Sequence, residues 1–287
     1  MASMRDIKRR KSSVQSTQQI TKAMKLVSTV KLQRARAAAE RSKAYFDYMY
    51  GTVSSILART GSIKHRYLQA GDSPKKAVIT ISSNRGLAGG YNSNIVKLIT
   101  GHEEWRQEDV VIYSVGNKGR ESLARAGYAI GRDFSHVVEE PIYADARDIA
   151  NVLLQAYEEG EIGEIYLAYT RFVNTVSHVP TLLKLLPMEV EVQEEKADEG
   201  ASAIMNFEME DEEALDLIIP KYVASMIYGG MVEAVASENG ARMQAMDNAT
   251  SNAEEMISDL TLKYNRARQG SITQELTEII AGAEAIS

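Results

Sequence analysis

The stretch of this chain whose composition best suits ligand chemistry is a glycine-rich loop, residues 82–92, which reads Ser-Ser-Asn-Arg-Gly-Leu-Ala-Gly-Gly-Tyr-Asn. It follows a predicted strand and precedes a predicted helix, where a nucleotide-binding loop of an α/β protein would lie. The loop matches neither G-x-G-x-x-G nor G-x-x-x-x-G-K-[ST], and no lysine follows that would reach a phosphate. We therefore interpret it as a tight turn that needs small residues, with a nucleotide site as the alternative.

Side chains suited to catalysis or metal binding are scarce elsewhere. The sequence contains no cysteine, which excludes disulfides, thiolate metal ligands and a cysteine nucleophile, and its four histidines lack the spacing of a metal site. Glu275 and Glu278 lie one turn apart on a predicted helix, but nothing around them predicts burial in a substrate pocket. The sequence therefore predicts no catalytic, cofactor-binding or metal-binding residue.

Two proline-free arms flank the middle of the chain, because all five prolines lie between Pro74 and Pro220. Proline costs about 3 kcal/mol inside a helix, so both arms can be helical throughout. We predict one helix from Met4 to Ala58 and another from Glu212 to Ile286. The part after Pro220 alone would be about 100 Å long, far more than a compact domain of this size needs.

The first arm combines an apolar face with a strongly basic one. Ile20, Met24, Val27 and Val30 recur at helical spacing and predict the face that packs. Twelve lysines and arginines between residues 5 and 43 are opposed by two acidic residues. An acidic protein surface is the preferred partner, with nucleic acid and a merely solvated helix surface as alternatives.

The last arm carries a coiled-coil seam with alternating spacings of three and four. Its members are Met243, Met246, Thr250, Ala253, Ile257, Leu260, Tyr264 and Ala267. We expect the two arms to pair antiparallel into a rod.

The middle of the chain alternates strands and helices, which indicates a mainly parallel sheet. Predicted strands are 77–82, 110–115 and 164–169, and a last antiparallel strand is predicted within 176–186. Predicted helices between them are 92–99, 118–126 and 144–157. Four segments result: an N-terminal coiled-coil helix at 1–60, a Rossmann-like α/β domain at 75–192, an acidic loop or linker at 193–211, and a C-terminal coiled-coil helix at 212–287. The predicted fold class is thus α/β, with a long antiparallel two-helix coiled coil around an inserted α/β domain.

Several segments resemble the gamma subunits of F-type ATP synthases. The segment 272–285, Ile-Thr-Gln-Glu-Leu-Thr-Glu-Ile-Ile-Ala-Gly-Ala-Glu-Ala, is similar to the family's C-terminal signature. Residues 5–10 and 16–27 resemble its N-terminal helix, 83–92 its central loop, and 264–269 a further part of the C-terminal helix. The resemblance spans essentially the whole chain in order, and the acidic stretch 191–213 is its least typical part.

The resemblance implies a non-catalytic rotor shaft in a complex that is a proton-transporting rotary ATPase. The coiled coil would enter a ring of three alpha and three beta subunits, and the α/β domain would meet the epsilon subunit and the membrane c-ring. Proton flow would turn the c-ring and this chain, which pushes each beta subunit through different nucleotide affinities. No cofactor and no nucleic acid is implied. Without an evident transit peptide or membrane span, we expect a bacterial protein on the cytoplasmic face of the plasma membrane, held there only through the complex.

The resemblance also implies contact residues. Expected at the beta-subunit catch loop are Arg268, Gln269, Thr273, Glu275 and Glu278. Expected near the beta lever or the collar of the ring are Arg9, Arg10, Lys22, Met24 and Lys25. Expected at the foot, facing the c-ring, are Phe207 and Glu208.

The sequence is also compatible with two other functions. A coiled-coil nucleic-acid or scaffold protein built on the basic arm predicts salt-sensitive DNA binding. A Rossmann-like enzyme with helical extensions predicts nucleotide binding by the middle region, which we expect to be absent.

Overall fold

The computed structural model describes residues 4–59, 65–188 and 211–284. The elements along the chain are α1 (Met4–Arg59), β1 (Lys76–Ile81), α2 (Tyr91–Thr100), β2 (Val110–Val115), α3 (Asn117–Arg125), β3 (Ala129–Asp133), α4 (Tyr143–Glu158), β4 (Glu164–Phe172), β5 (His178–Leu186) and α5 (Asp211–Glu284). The predicted helices and strands are all present, with ends shifted by a few residues. Residues 193–210, and with them Phe207 and Glu208, lie outside the described residues.

The strand that sequence reasoning missed is β3. It pairs in parallel with β2 at one edge of the sheet, and four of its five residues are exposed. A strand exposed on both faces shows no alternation of apolar and polar residues, and Gly131, Arg132 and Asp133 are not strand formers. Its pattern therefore resembles a loop.

The sheet has the order β3-β2-β1-β4-β5. Strands β1 to β4 are parallel, and β5 returns antiparallel to β4, as the sequence predicted. Helices α2 and α3 cover one face, where Ile95, Ile99 and Leu123 pack with Val78 and Ile112. Helix α4 and the first part of α5 cover the other face in a larger core. Both faces are buried, which explains why β1 and β2 are almost continuously apolar.

Helix α5 begins as a core helix of the sheet layer. Leu215, Ile219, Val223 and Ile227 are fully buried against the sheet and α4. At Gly230 the helix backbone lies so near the sheet that a β-carbon would come within 2.9 Å of Leu167 Cδ2. A larger residue there would require the Leu167 side chain to shift, so glycine permits the close approach of α5 to β4.

Polar bonds also attach α5 to the sheet. Ser237 Oγ donates to the carbonyl of Thr170 over 2.9 Å, and the Phe172 N–H donates to Glu233 Oε2 over 3.3 Å. The next helical turn presents Gly240 to the ring of His178. The contacts fix which face of α5 lies on the sheet.

Residues Leu215–Ala283 of α5 form one helix that is long and apolar enough to cross a membrane, judged by length and composition alone. The qualifying window reaches a mean hydropathy of 1.2, and 56% of it is buried within the fold. A buried core helix passes the same test, so this is weak evidence for a membrane span.

Packing divides the chain into two compact units. The coil unit comprises Met1–Thr29 and Arg242–Ser287, and the sheet unit comprises Val30–Ala241. Each is described by itself below.

In the coil unit the two terminal helices pair antiparallel. Cross-helix bonds join Gln18 to Glu254, Thr21 to Thr250, and Lys25 to Asp247, so residue numbers rise on one helix as they fall on the other. The predicted seam of α5 is confirmed: none of its members is exposed, and Met246, Thr250 and Ala253 are buried.

The predicted packing face of α1 is wrong for three of its four residues, since only Met24 is half-buried. Ile20, Val27 and Val30 are 60%, 58% and 50% exposed, whereas Thr21 and Ser28 are buried at 7% and 2%. The seam favours small hydroxyl side chains because they allow close approach of the helices and can hydrogen bond across it. Apolar periodicity alone therefore selected a face that points away from the partner helix.

Candidate interaction surfaces

The C-terminal end of α5 extends past its partner helix. The residue numbers of the three cross-helix pairs add up to 271 or 272, which places Met4, the first residue of α1, opposite residue 267 or 268. Beyond that point α5 continues to Glu284, and every residue from 272 to 283 is exposed. We call residues 269–284 the tip.

The tip carries an apolar stripe that no described residue of the chain covers. Ile272, Leu276, Ile279 and Ile280 are 47% to 67% exposed. At 100° per residue they fall within one narrow arc of the helix. Isolated helices of this length are marginal in water, and a contiguous exposed apolar surface marks an interaction site. The sequence-based assignment missed this stripe, whose own spacings of three and four were the available signal. It does not continue the seam, because the seam spacing past Ala267 leads to Ser271, Gln274 and Glu278.

The residues predicted to meet the catch loop border this stripe. Thr273 flanks it on one side, and Arg268 and Glu275 flank it on the other. Gln269 lies in line with the stripe at its N-terminal end, and all four residues are exposed. Thr273 Oγ1 donates to the Gln269 carbonyl of its own helix over 2.9 Å. Glu278 lies farther round the helix and accepts from Gln274 over 2.9 Å. The structure thus brings four of the five predicted residues to the rim of one apolar surface.

The residues predicted near the lever or collar do not form one surface. Arg9, Arg10 and Lys22 are exposed, and Arg9 lies 3.6 Å from Asp6. Lys25 is half-buried and donates to Asp247 Oδ1 over 2.6 Å. Met24 is also half-buried. Two of the five thus take part in the packing of the coil unit, while the three others face outward with the apolar side chain of Ile20.

The glycine-rich loop uses its polar groups to hold itself together. The Ser83 N–H donates to Asn92 Oδ1 over 2.9 Å, and Asn84 both donates to the Ser135 carbonyl and accepts from the Asn117 N–H. Leu87 adopts a positive φ of 64° and stays 65% exposed. These bonds favour the structural turn over the nucleotide site, because the side chains of Asn84 and Asn92 and the Ser83 amide already have partners within the protein.

A second tight turn supports this loop from the end of β2. Gly116 has a φ of 116°, and a β-carbon there would come within 2.1 Å of the Ser82 carbonyl oxygen. Ser82 Oγ accepts from the Gly119 N–H over 2.9 Å and donates to the Gly116 carbonyl over 3.0 Å. The carboxyl ends of β1 and β2 are therefore filled by protein atoms.

Charged groups in the sheet unit serve the sheet itself. Glu164 of β4 pairs with Lys76 of β1 over 2.9 Å and with Lys184 of β5 over 3.3 Å. Burial works to raise the pKa of Glu164, but the hydrogen bond and charge of Lys76, together with Lys184, outweigh it and lower that pKa. Burial lowers the pKa of His178. In the described ranges, no group of three or more histidine or acidic residues is arranged to hold a metal ion.

Comparison with known proteins adds the family. The ATP synthase family model matches residues 3–286. The chain is 64% identical over its full length and that of the ATP synthase gamma chain of Lachnoclostridium phytofermentans. It is 40% identical to the sodium ion specific ATP synthase gamma chain of Acetobacterium woodii, over 99% of each chain.

Among solved structures, the chain resembles one from the central stalk and c-ring of the Tetrahymena thermophila mitochondrial ATP synthase. The TM-score is 0.61 at 24% identity, over 80% of this chain and 99% of the other. Paired terminal helices around an inserted parallel α/β layer are thus the fold of a central-stalk subunit. The sequence matches make the assignment specific: this chain belongs to the gamma-chain family of ATP synthases.

Proposed function

We propose that this chain is the rotating shaft of an F-type ATP synthase and contains no catalytic residue of its own. The observation that carries the proposal is the tip, which presents an exposed apolar stripe with polar flanks and no partner among residues 4–59, 65–188 and 211–284. A helix of this kind fits a close-fitting apolar sleeve in a larger assembly, and a ring of three alpha and three beta subunits would supply one.

The asymmetry of the coil unit supports a shaft that acts on its neighbours in turn. Around the seam, α1 presents basic side chains and exposed apolar ones, whereas the tip is a single helix. A rotating object with different sides contacts each beta subunit differently, and so biases each toward a different nucleotide affinity. Long-range attraction between the basic side and an acidic lever of beta tolerates rotation better than close packing does.

The predicted beta contacts stand as part of this proposal. Arg268, Gln269, Thr273 and Glu275 lie where a polar loop at the rim of an apolar sleeve would bind the tip. Glu278 would contact beta from one turn farther on. Arg9, Arg10 and Lys22 are free to face the lever or collar. Met24 and Lys25 would act through the coil that they help to pack.

The remaining partners of the proposal are the epsilon subunit and the membrane c-ring, with Phe207 and Glu208 at the foot. The chain would lie on the cytoplasmic face of a bacterial plasma membrane, attached through the complex. The coupling ion is set by the c-ring. We propose ion-driven rotation with protons as the expected ion. A relative named as sodium ion specific makes Na⁺ the alternative.

Co-assembly tests the proposal. The full chain is mixed with alpha and beta subunits from the same source, and size-exclusion mass and ATPase activity are followed. We expect one copy per three alpha–beta pairs and raised steady ATPase activity. No complex and no change in ATPase activity would overturn the proposal.

A matched pair of variants tests whether the tip carries the interaction. Ile279→Ser with Ile280→Ser removes two exposed apolar side chains from the stripe, and we expect assembly to weaken at least about tenfold. Val173→Ser with Val176→Ser removes two side chains of similar exposure from the β4–β5 turn and serves as the control. Equal assembly by both variants would show that the tip is not the contact. Charge reversal at Arg268 combined with Gln269→Leu tests the polar flanks in the same assay.

The two alternative functions, nucleic-acid binding and nucleotide binding, can each be measured on the full chain. Tight DNA binding that falls steeply with salt would favour the nucleic-acid reading of the basic arm. Saturable nucleotide binding that disappears on substituting Asn84 or Asn92 would favour a site at the glycine-rich loop. We expect neither.

A further inference from the structure

Three polar pairs cross the seam of the coil unit on successive helical turns. Gln18 Nε2 donates to Glu254 Oε1 over 3.0 Å, and Lys25 Nζ donates to Asp247 Oδ1 over 2.6 Å. Between them, the hydroxyls of Thr21 and Thr250 lie 2.8 Å apart and are buried. We call these three pairs the polar ladder.

The middle pair is close enough for a hydrogen bond between the helices, and either hydroxyl can be its donor. Thr21 Oγ1 lies 3.0 Å from the Gln18 carbonyl, and Thr250 Oγ1 lies 2.7 Å from the Met246 carbonyl. The two hydroxyls have two protons for these three contacts. When one hydroxyl donates across the seam, the other donates to the carbonyl of its own helix.

The seam around the ladder includes small side chains, which contribute little to fixing the alignment of the helices. Its buried members include Ser28 and Ala253, whose side chains are too short to form deep knobs. Sliding one helix by a heptad, about 10 Å, would keep seam facing seam. It would also set Thr21 opposite Met243 or Ile257, where no side-chain oxygen can pair with the hydroxyl.

The outer pairs do not distinguish the registers by themselves. A heptad slip in one direction brings Lys25 opposite Glu254, and a slip in the other brings Gln18 opposite Asp247. Each slipped register thus recovers one carboxylate pair and loses the hydroxyl pair. Only the observed register forms all three pairs at once, so the three pairs together distinguish it from the slipped registers.

We propose that the polar ladder is a register lock, which holds the two helices against sliding along each other. Twisting a two-stranded rod shears its strands lengthwise, so a torque-bearing shaft needs such a lock. That mechanical role rests on the proposed function, whereas the lock itself is a property of this chain. The ladder selects one alignment in the way that a single polar seam position selects coiled-coil register.

Engineered cysteine pairs read the register directly, because the native chain has no cysteine. Four half-buried seam positions outside the ladder are used: Ile7 and Val14 on α1, and Ile257 and Tyr264 on α5. In the observed register, cysteines at 14 and 257, or at 7 and 264, face each other. After a heptad slip the facing pairs are 14 with 264, or 7 with 257. A disulfide requires α-carbons within about 7 Å, so a slipped pair does not cross-link in the native register.

The pairs are introduced into the full chain with the ladder intact and with Thr21→Val and Thr250→Val. With the ladder intact we expect cross-links only in the native-register pairs. In the valine variant we expect slipped cross-links to rise about fivefold or more, since one bond across the seam is lost. The control, Thr17→Val with Thr277→Val, changes two exposed threonines on the same helices and is expected to behave as the intact ladder.

The proposal would be overturned if the valine variant formed no more slipped cross-links than the control. Circular dichroism must show that its helix content is intact. If the valine variant does not fold, Thr21→Ser with Thr250→Ser is compared with the double alanine variant. The serine pair keeps the hydroxyls and must keep the register, whereas the alanine pair must lose it. Equal behaviour of the two would also overturn the proposal. Failure to assemble with alpha and beta would reject the shaft function and leave this result standing.

Discussion

The core of the sheet unit and the seam of the coil unit are both buried, but their side chains differ in chemistry. Ile79, Ile165 and Leu167 in the sheet core are fully buried aliphatic side chains. Thr21, Ser28 and Thr250 in the seam are buried hydroxyl side chains. Close-packed aliphatic residues contribute most to the free energy of folding, because they remove the most apolar area from water.

The seam contributes less to the free energy of folding, but it restricts the alignment of the two helices more strongly. A hydroxyl pair is satisfied at one alignment only, whereas aliphatic surfaces accept several. The difference indicates that the sheet core supplies stability and that the seam supplies alignment. Changes in the two regions should therefore differ in kind as well as in size.

The largest expected effect is in the sheet core. Leu167→Ala removes a fully buried side chain that packs against the backbone of α5 at Gly230, so we expect a loss of about 2–5 kcal/mol in the free energy of unfolding. Leu262→Ala, at a position that is 56% exposed, is the control and should change little. Denaturant titration followed by circular dichroism measures both. Similar losses for the two variants would remove the distinction between core and surface.

A smaller effect is expected at the ion pairs that join β1, β4 and β5. Glu164→Gln leaves two half-buried lysines without their carboxylate, which should cost about 1–3 kcal/mol at neutral pH. Because the folded pKa of Glu164 is lowered, its stabilisation is present above the unfolded value of 4.5 and is lost as the pH falls through the folded value. Unfolding of both proteins from pH 7 to pH 3 should show the difference shrinking below about 4.5. A difference that is independent of pH would contradict this origin.

The next effect is a pH dependence at the contact between β5 and α5. Burial lowers the pKa of His178, so the neutral ring is the folded form and protonation opposes folding. The stability it supports is present above the unfolded value of 6.5 and is lost as the pH falls below that value. His178→Gln should flatten this part of the stability curve. Thermal unfolding between pH 8 and pH 5 tests it, with His136→Gln as the control.

The smallest expected change in stability is in the seam. Thr21→Val with Thr250→Val replaces both hydroxyls by methyl groups, which is nearly neutral or slightly stabilising, within about 1 kcal/mol. The same variant is the one expected to lose its register. Unfolding and cross-linking measured on one preparation would then separate stability from alignment. A large loss in the free energy of unfolding would show that the seam hydroxyls also contribute strongly to stability.

The elements of this fold were predictable where a single period dominates. The strands β1 and β2 are continuous apolar runs, and the stretches without proline before Pro74 and after Pro220 supply most of the helices α1 and α5. Helix α5 also includes Pro220 itself. The exposed edge strand β3 carried no such signal. On α1, Ile20 and Val27 do recur at helical spacing, but the face that they share points outward.

The candidate site was predictable only in part for a related reason. The polar residues of the tip were assigned by resemblance, and the structure adds the apolar stripe that they border. That Lys25 turns into the coil rather than outward depends on Asp247, a residue 222 positions away in the chain. A one-dimensional pattern does not show which distant partner will be opposite.

The sequence by itself determined the helices, the alternating strands and the family, because periodicity, proline placement and specific motifs are local properties. Tertiary structure alone decided the strand order, the face of α1 that packs, and the alignment of the two helices. It also decided that the tip extends beyond its partner. These features depend on which side chains meet across the fold, and a hydroxyl such as Thr21 is a surface residue or a buried contact only once Thr250 is placed against it.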